Sequence, residues 1–173
     1  MARAVFLDRD GTLIENIPYL SDPASVRLLP GSAEALKKLR SLGFLIVVVT
    51  NQSGIARGCF PESALPGIHG RIGELLLREG AGVDAFYYCP HGPAEEGFPG
   101  CRCRKPAPGM GIRASEELGI DLRNSWMIGD SPSDLRFASN CGCPFVLVRT
   151  GWGKKTEREI SPFTGIRENE KSG

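Results

Sequence analysis

The chain has 173 residues, 41% of them apolar and 24% charged, with a net charge of +1. That length suits one domain with its own core, and a near-neutral balance offers no whole-molecule attraction to nucleic acid or to an anionic membrane. No apolar run approaches the length of a membrane span, and "MARAVFLDRDG" lacks the hydrophobic stretch and small-residue cleavage site of a signal peptide, so a cytoplasmic protein is expected.

The first apolar burst, "AVFLD" at residues 4–8, predicts a strand that runs into "FLDRDGTLI". Residues 31–42 predict a helix with Ala33, Leu36, Leu39 and Leu42 on one stripe and Lys37, Lys38 and Arg40 facing away. "FLIVVVTN" from 44 is apolar at nearly every position, as in a strand buried on both faces. Residues 62–79 carry a helical stripe of Leu65, Ile68, Ile72 and Leu75, weakened by Pro66, Gly67, Gly70 and Gly73, which predicts a kink or a late start. Strands follow at "AFYYC" from 85, "SWMIGD" from 125 and "PFVLVRT" from 144, with helices over 108–118 and 132–141 between them. Trp126 reads as core and Trp152 as packing for the tail. The alternation implies an α/β, Rossmann-like parallel sheet with helices on both faces, as one domain over residues 1–153. From 154 to 173 the sequence is polar and irregular, and a partly mobile tail is expected.

In such sheets ligands bind beyond the carboxyl ends of the strands. Asp8 and Asp10 end the first. Two aspartates so close repel each other unless a cation lies between them or one takes a proton, and both remedies suit phosphoryl transfer. One carboxylate can attack phosphorus while the other protonates the leaving oxygen. Taken alone, the pair is also what a simple Asp-Gly strand ending shows. The second strand ends in "TNQSG", where the Thr50 hydroxyl and backbone N–H groups suit phosphoryl oxygens, although the same residues make a good turn. The fourth ends in "GDSPSD": Asp130 can add a carboxylate to a magnesium site shared with Asp8, while Ser131, Pro132 and Asp134 read as N-cap, first helical residue and capping-box partner. Asp134 is structural on that reading.

Cys89-Pro-His91 and Cys101-Arg-Cys103 place four soft or borderline ligands in two close pairs across a loop with little apolar material. A closed structural zinc site of three cysteines and one histidine fits the loop 89–103, against the alternative of uncoordinated small hydrophobes. Arg104 and Lys105 follow at once, so the zinc would aim them at a phosphate without activating water. The pair Cys141/Cys143 reads as core, Cys59 as incidental and His69 as packing or surface.

The motifs "FLDRDGT", Thr50, Lys105 and "GDSPSD", in this order on successive strand ends, resemble the haloacid dehalogenase superfamily. The resemblance implies a magnesium-dependent phosphatase. Asp8 would be its nucleophile, Asp10 its general acid and then base, and Thr50 and Lys105 would hold the phosphoryl group. Asp8, Asp130 and the carbonyl of Asp10 would bind the metal. "FLDRDGTLIENIPYL", "VVVTNQSGIARG", "YYCPHGP", "CRCRKPAPGM" and "VRTGWG" are further similar to the heptose 1,7-bisphosphate phosphatases among the histidinol-phosphate phosphatase-like enzymes. That likeness implies removal of the C7 phosphate of a sugar bisphosphate on the way to nucleotide-activated heptose and lipopolysaccharide. It also implies a minimal loop cap on a monomer, with no nucleic-acid or membrane partner. By the same likeness Asn51, Gln52 and Ser53 line the pocket, Asn16 to Tyr19 form its flap and Arg104 recognises the second phosphate. Ser131 stands where the family often has lysine. Histidinol phosphate as substrate, transfer of the phosphoryl group to a sugar, and a catalytically silent zinc-stabilised binding protein are the alternatives.

Overall fold

The structure, a computed structural model, describes residues 1–164, and the side chains only through Ile160. Five parallel strands lie in the order β3-β2-β1-β4-β5: β1 Arg3–Leu7, β2 Phe44–Asn51, β3 Ala85–Cys89, β4 Trp126–Gly129 and β5 Phe145–Leu147. Helices α1 Ser32–Ser41 and α2 Leu65–Arg78 cover one face, α3 Gly109–Leu118 and α4 Pro132–Cys141 the other.

Strand alternation divides the core in two. Val5 and Leu7 of β1, with Ile46 and Val48 of β2, pack under α1 and α2. Ala4, Phe6, Val47 and Val49 face α3 and α4. Because both faces of β2 are covered, Ile46 to Val49 are fully buried, which is why this strand reads as a continuous apolar run. The register Leu7↔Val48 and Leu7↔Ile128 ends β1 and β4 within a residue of each other, while β2 runs three residues further to Asn51. The chain order reverses between β1 and β4, so the crevice beyond their carboxyl ends is the topological switch point.

A short 3₁₀ turn at Glu62–Ala64 precedes α2, whose second residue is Pro66, so the helix starts late as its composition predicts. Several expectations need correction. Leu76 replaces Leu75 as the fully buried end of the α2 stripe. Leu42 is the exposed C-cap of α1, because the helix ends one residue before it. Trp126 is 41% exposed: it opens β4 at the amino-terminal edge of the sheet, where its side chain meets solvent. The expected irregular tail begins as a helix, α5 Gly153–Thr164, and the buried Thr156 donates its hydroxyl to the Asp130 carbonyl at 2.7 Å. Residues 165–173 of that expected tail lie outside the described residues.

The connections after β1, β2 and β3 are loops that touch one another. Tyr19, at φ +50°, packs its ring against Gly54. Arg57 pairs with Glu96 and lies 5.5 Å over the Phe98 ring, tying the loop after β2 to the cysteine loop after β3.

Candidate active site

After β1 the chain folds around the Arg9 carbonyl, which accepts the N–H groups of Thr12, Leu13 and Ile14. Gly11 makes the turn possible with φ +83°. A side chain there would run into the Asp130 carboxylate, so the β1 loop and the end of β4 meet only because residue 11 has none. Asp8 continues the ladder, its N–H donating to the Ile128 carbonyl at 3.0 Å.

Lys105 enters from the other side. Its ammonium donates to Asp8 Oδ1 at 2.8 Å, to the Val49 carbonyl at 2.9 Å and to Asp134 Oδ1 at 2.6 Å, which uses all three protons. The backbone of Lys105 is clamped too: its N–H donates to Asn51 Oδ1 at 2.9 Å and its carbonyl accepts from Asn51 Nδ2 at 3.0 Å. Gln52 donates both amide hydrogens, to Asp10 Oδ2 at 3.0 Å and to Thr50 Oγ1 at 2.8 Å. Asn51 and Gln52, expected to line the pocket, thus turn their amides to Lys105, Asp10 and Thr50.

Burial pushes the Asp8 carboxyl up to about 8. The Lys105 charge opposes this, while Asp134 and Asp10 add to it. Asp130 is pushed up to about 6, again by burial, against the N–H of Trp152 that binds Oδ2 at 2.7 Å. Lys105 is held above its usual value despite burial, because Asp134 and Asp8 retain its proton. Asp8 binds a proton more readily than its contact with Lys105 suggests because burial, with the charges of Asp134 and Asp10, outweighs that contact.

With all four ionised, the carboxylates Asp8, Asp10, Asp130 and Asp134 exceed the cations Arg9 and Lys105 by two charges, which a divalent ion would balance. Oxygens of Asp8, Asp130 and Asp134 lie within 4.8 Å of one another. Asp134 is occupied, however, because Oδ1 faces Lys105 and Oδ2 accepts from Ser131 Oγ and from the N–H groups of Ser131 and Asp130. Asp8 and Asp130 remain available as ligands, an all-oxygen set of the kind magnesium prefers. Asp134 is a capping-box residue, as its sequence context predicts, and also the anchor of the site lysine, which the sequence reading missed.

Arg9 was missed altogether. It is 1% exposed and grips Asp10 with two hydrogen bonds of 3.0 Å. Extending the alternation Val5, Leu7 by one step puts residue 9 on the inward side, which was the available signal.

In the loop after β3, the Sγ atoms of Cys89, Cys101 and Cys103 stand 3.2, 3.5 and 3.6 Å apart, with His91 Nδ1 at 3.3 Å from Cys103 and 3.5 Å from Cys89. A tetrahedron with metal–sulfur bonds of about 2.3 Å has edges of about 3.8 Å, so the four atoms are arranged to surround one zinc-sized ion. Arg104 belongs to the same unit. Its N–H donates to Cys101 Sγ at 3.4 Å and its guanidinium to the His91 carbonyl at 3.1 Å. Asn16 is exposed on the loop after β1, Ser53 is half-buried beside Gln52, and Tyr19 lies between those two loops.

Asp8, a second aspartate two residues on, a threonine, a lysine and a distal aspartate, gathered beyond the carboxyl ends of this sheet, form the constellation of a phosphatase of the haloacid dehalogenase type. The HAD-hydrolase-like family model matches residues 102–166. The chain is 41% identical over 158 residues to D-glycero-beta-D-manno-heptose-1,7-bisphosphate 7-phosphatase of Pseudomonas aeruginosa, covering 90% of this chain and 86% of that protein. It is 42% identical to the protein of that name in Escherichia coli, covering 86% and 80%. A crystal structure of D,D-heptose 1,7-bisphosphate phosphatase from B. bronchiseptica, complexed with magnesium and phosphate, superposes with a TM-score of 0.83 at 38% identity, covering 96% of this chain and 89% of that one. The chain belongs to the heptose 1,7-bisphosphate 7-phosphatase family of haloacid dehalogenase-like hydrolases.

Proposed function

We propose that this protein removes the C7 phosphate of D-glycero-β-D-manno-heptose 1,7-bisphosphate. The observation that carries the reading is the division of labour between the aspartates: Asp8 lies against Lys105, while Asp10 is held apart by Arg9 and Gln52. Asp8 attacks phosphorus, the bond to the sugar oxygen breaks, and Asp10 gives its proton to that oxygen. Asp10 then takes a proton from the water that cleaves the aspartyl-phosphate, which frees phosphate and restores Asp8. Lys105 neutralises the phosphoryl group once Asp8 Oδ1 turns from partner to ester oxygen, and Thr50 donates to an equatorial oxygen.

Asp8, Asp130 and the Asp10 carbonyl would hold magnesium, which when bound supplies charge to the phosphoryl oxygens and keeps Asp8 ionised. Zinc held by Cys89, His91, Cys101 and Cys103 would order the loop that carries Arg104 and Lys105. Arg104, fixed beside His91, suits the second phosphate of the substrate, because a guanidinium can bind it with two parallel hydrogen bonds. Asn16, Tyr19 and Ser53 border the same opening. The β anomer follows the relatives' names, and the product would enter the synthesis of nucleotide-activated heptose in the cytoplasm, made by a monomer. No described helix is long and apolar enough to cross a membrane.

Phosphate release with magnesium from the α and β heptose bisphosphates and from histidinol phosphate, with Asp8→Asn as blank, tests this. The β anomer should lead in kcat/KM by about a hundredfold. Preference for histidinol phosphate would overturn the substrate, and the absence of turnover would overturn the activity.

A further inference from the structure

Arg9 is the largest fully buried side chain whose presence the chemistry above does not require. A buried guanidinium is costly, and an apolar residue of similar volume at such a place is often no less stable. Its Nη1 finds no hydrogen-bond partner among the described residues. What Arg9 does have is Asp10: Nε donates to Oδ2 and Nη2 to Oδ1, each at 3.0 Å, and Gln52 Nε2 donates to Oδ2 at 3.0 Å.

Counting lone pairs gives these three bonds a consequence. Each carboxylate oxygen accepts about two hydrogen bonds, so Oδ2 is filled and Oδ1 keeps one free site. We infer that Arg9 is a positioning residue for catalysis, which with Gln52 fixes the Asp10 carboxylate and selects Oδ1 as the atom that carries the proton to the leaving sugar oxygen. The inference rests on Asp10 being the acid and base of the proposed reaction. The planar fork of arginine suits this task, since it fixes both the position and the plane of its partner, whereas an ammonium fixes position alone.

The leaving group makes the role measurable. A sugar alkoxide needs a proton as the P–O bond breaks, whereas p-nitrophenolate leaves without one. The ratio of kcat/KM for the heptose bisphosphate to that for p-nitrophenyl phosphate, taken on one preparation, does not depend on the fraction of folded enzyme. In Arg9→Met this ratio should fall by about a hundredfold. Arg9→Lys, which keeps the charge and loses the fork, should fall by at least about tenfold. An unchanged ratio in both variants overturns the inference, because a purely structural role lowers the two activities together. Asp10→Asn separates the layers: its ratio should fall at least as far as that of Arg9→Met. If it falls while the Arg9 variants do not, the positioning role alone is lost. If it does not fall, the acid–base role of Asp10 is overturned and the inference with it.

Discussion

Lys105 Nζ donates to Asp134 Oδ1 across 2.6 Å with both side chains withdrawn from solvent, 2% and 0% exposed. The pair joins the loop after the cysteine cluster to the first turn of α4, so the site lysine is held by a residue that also caps a helix.

Asp134→Asn should therefore be severe on two counts. It removes one of the two carboxylates that balance a buried ammonium, at a cost of about 3–5 kcal/mol, and it frees Lys105 from its alignment. Asp8→Asn, which removes the other, should be neutral or stabilising, because burial and then the charges of Asp134 and Asp10 push the Asp8 carboxyl up to about 8. Urea unfolding of the two variants without added metal checks the contrast, and both should lose at least about a hundredfold in kcat.

Gly11→Ala places a methyl group against the Asp130 carboxylate and forces alanine to φ +83°. Displacing Asp130 moves a proposed magnesium ligand, so the apparent magnesium affinity should weaken by at least about tenfold, and stability should drop by about 1–2 kcal/mol. Magnesium titration of phosphatase activity reads the first effect and thermal unfolding the second.

His69 of α2 stacks on Phe86 with ring centroids 4.4 Å apart, and its pKa is lowered to about 4 by burial and by the nearby charge of Arg9. The folded state thus takes up a proton later than the unfolded chain as pH falls. The stability tied to neutral His69 is complete above about 6.5 and is lost between there and about 4, amounting to roughly 3 kcal/mol. In His69→Phe the loss of unfolding free energy over this window should be smaller by that amount, as measured by urea melts at several pH values.

The double variant Cys101→Ser, Cys103→Ser should purify without the zinc, about one ion per chain, that metal analysis should find in the wild type. Activity should fall by at least about tenfold because Arg104 and Lys105 follow Cys103 directly. Zinc-free wild-type protein with full activity would remove the metal from the account.

How much of this was legible in the sequence depended on whether a residue's environment is local. The boundaries of β2 were plain because burial on both faces leaves an uninterrupted apolar run. The meeting of Asp8, Asp10, Thr50 and Asp130 was legible because strand ends place them together in any sheet of this order. Trp126 misled because its residue type favours burial, whereas its position at the first residue of β4 leaves it at the sheet edge. Arg9 and Asp134 were hidden for the opposite reason. A charged residue beside a turn reads as solvated or capping until the long-range partners, Gln52 around Asp10 and Lys105 beside Asp134, are known. Helix α5 went unread because what shows that it joins the fold is a contact with β4's end, made by Thr156.

The central claim is that Asp8 becomes phosphorylated. Enzyme mixed with the heptose bisphosphate and magnesium, quenched in acid during turnover and treated with borohydride, should yield a peptide in which Asp8 has been reduced to homoserine, the signature of an acyl phosphate at that residue. Turnover with Asp8 unmodified, or with reduction at another carboxylate, would contradict the account.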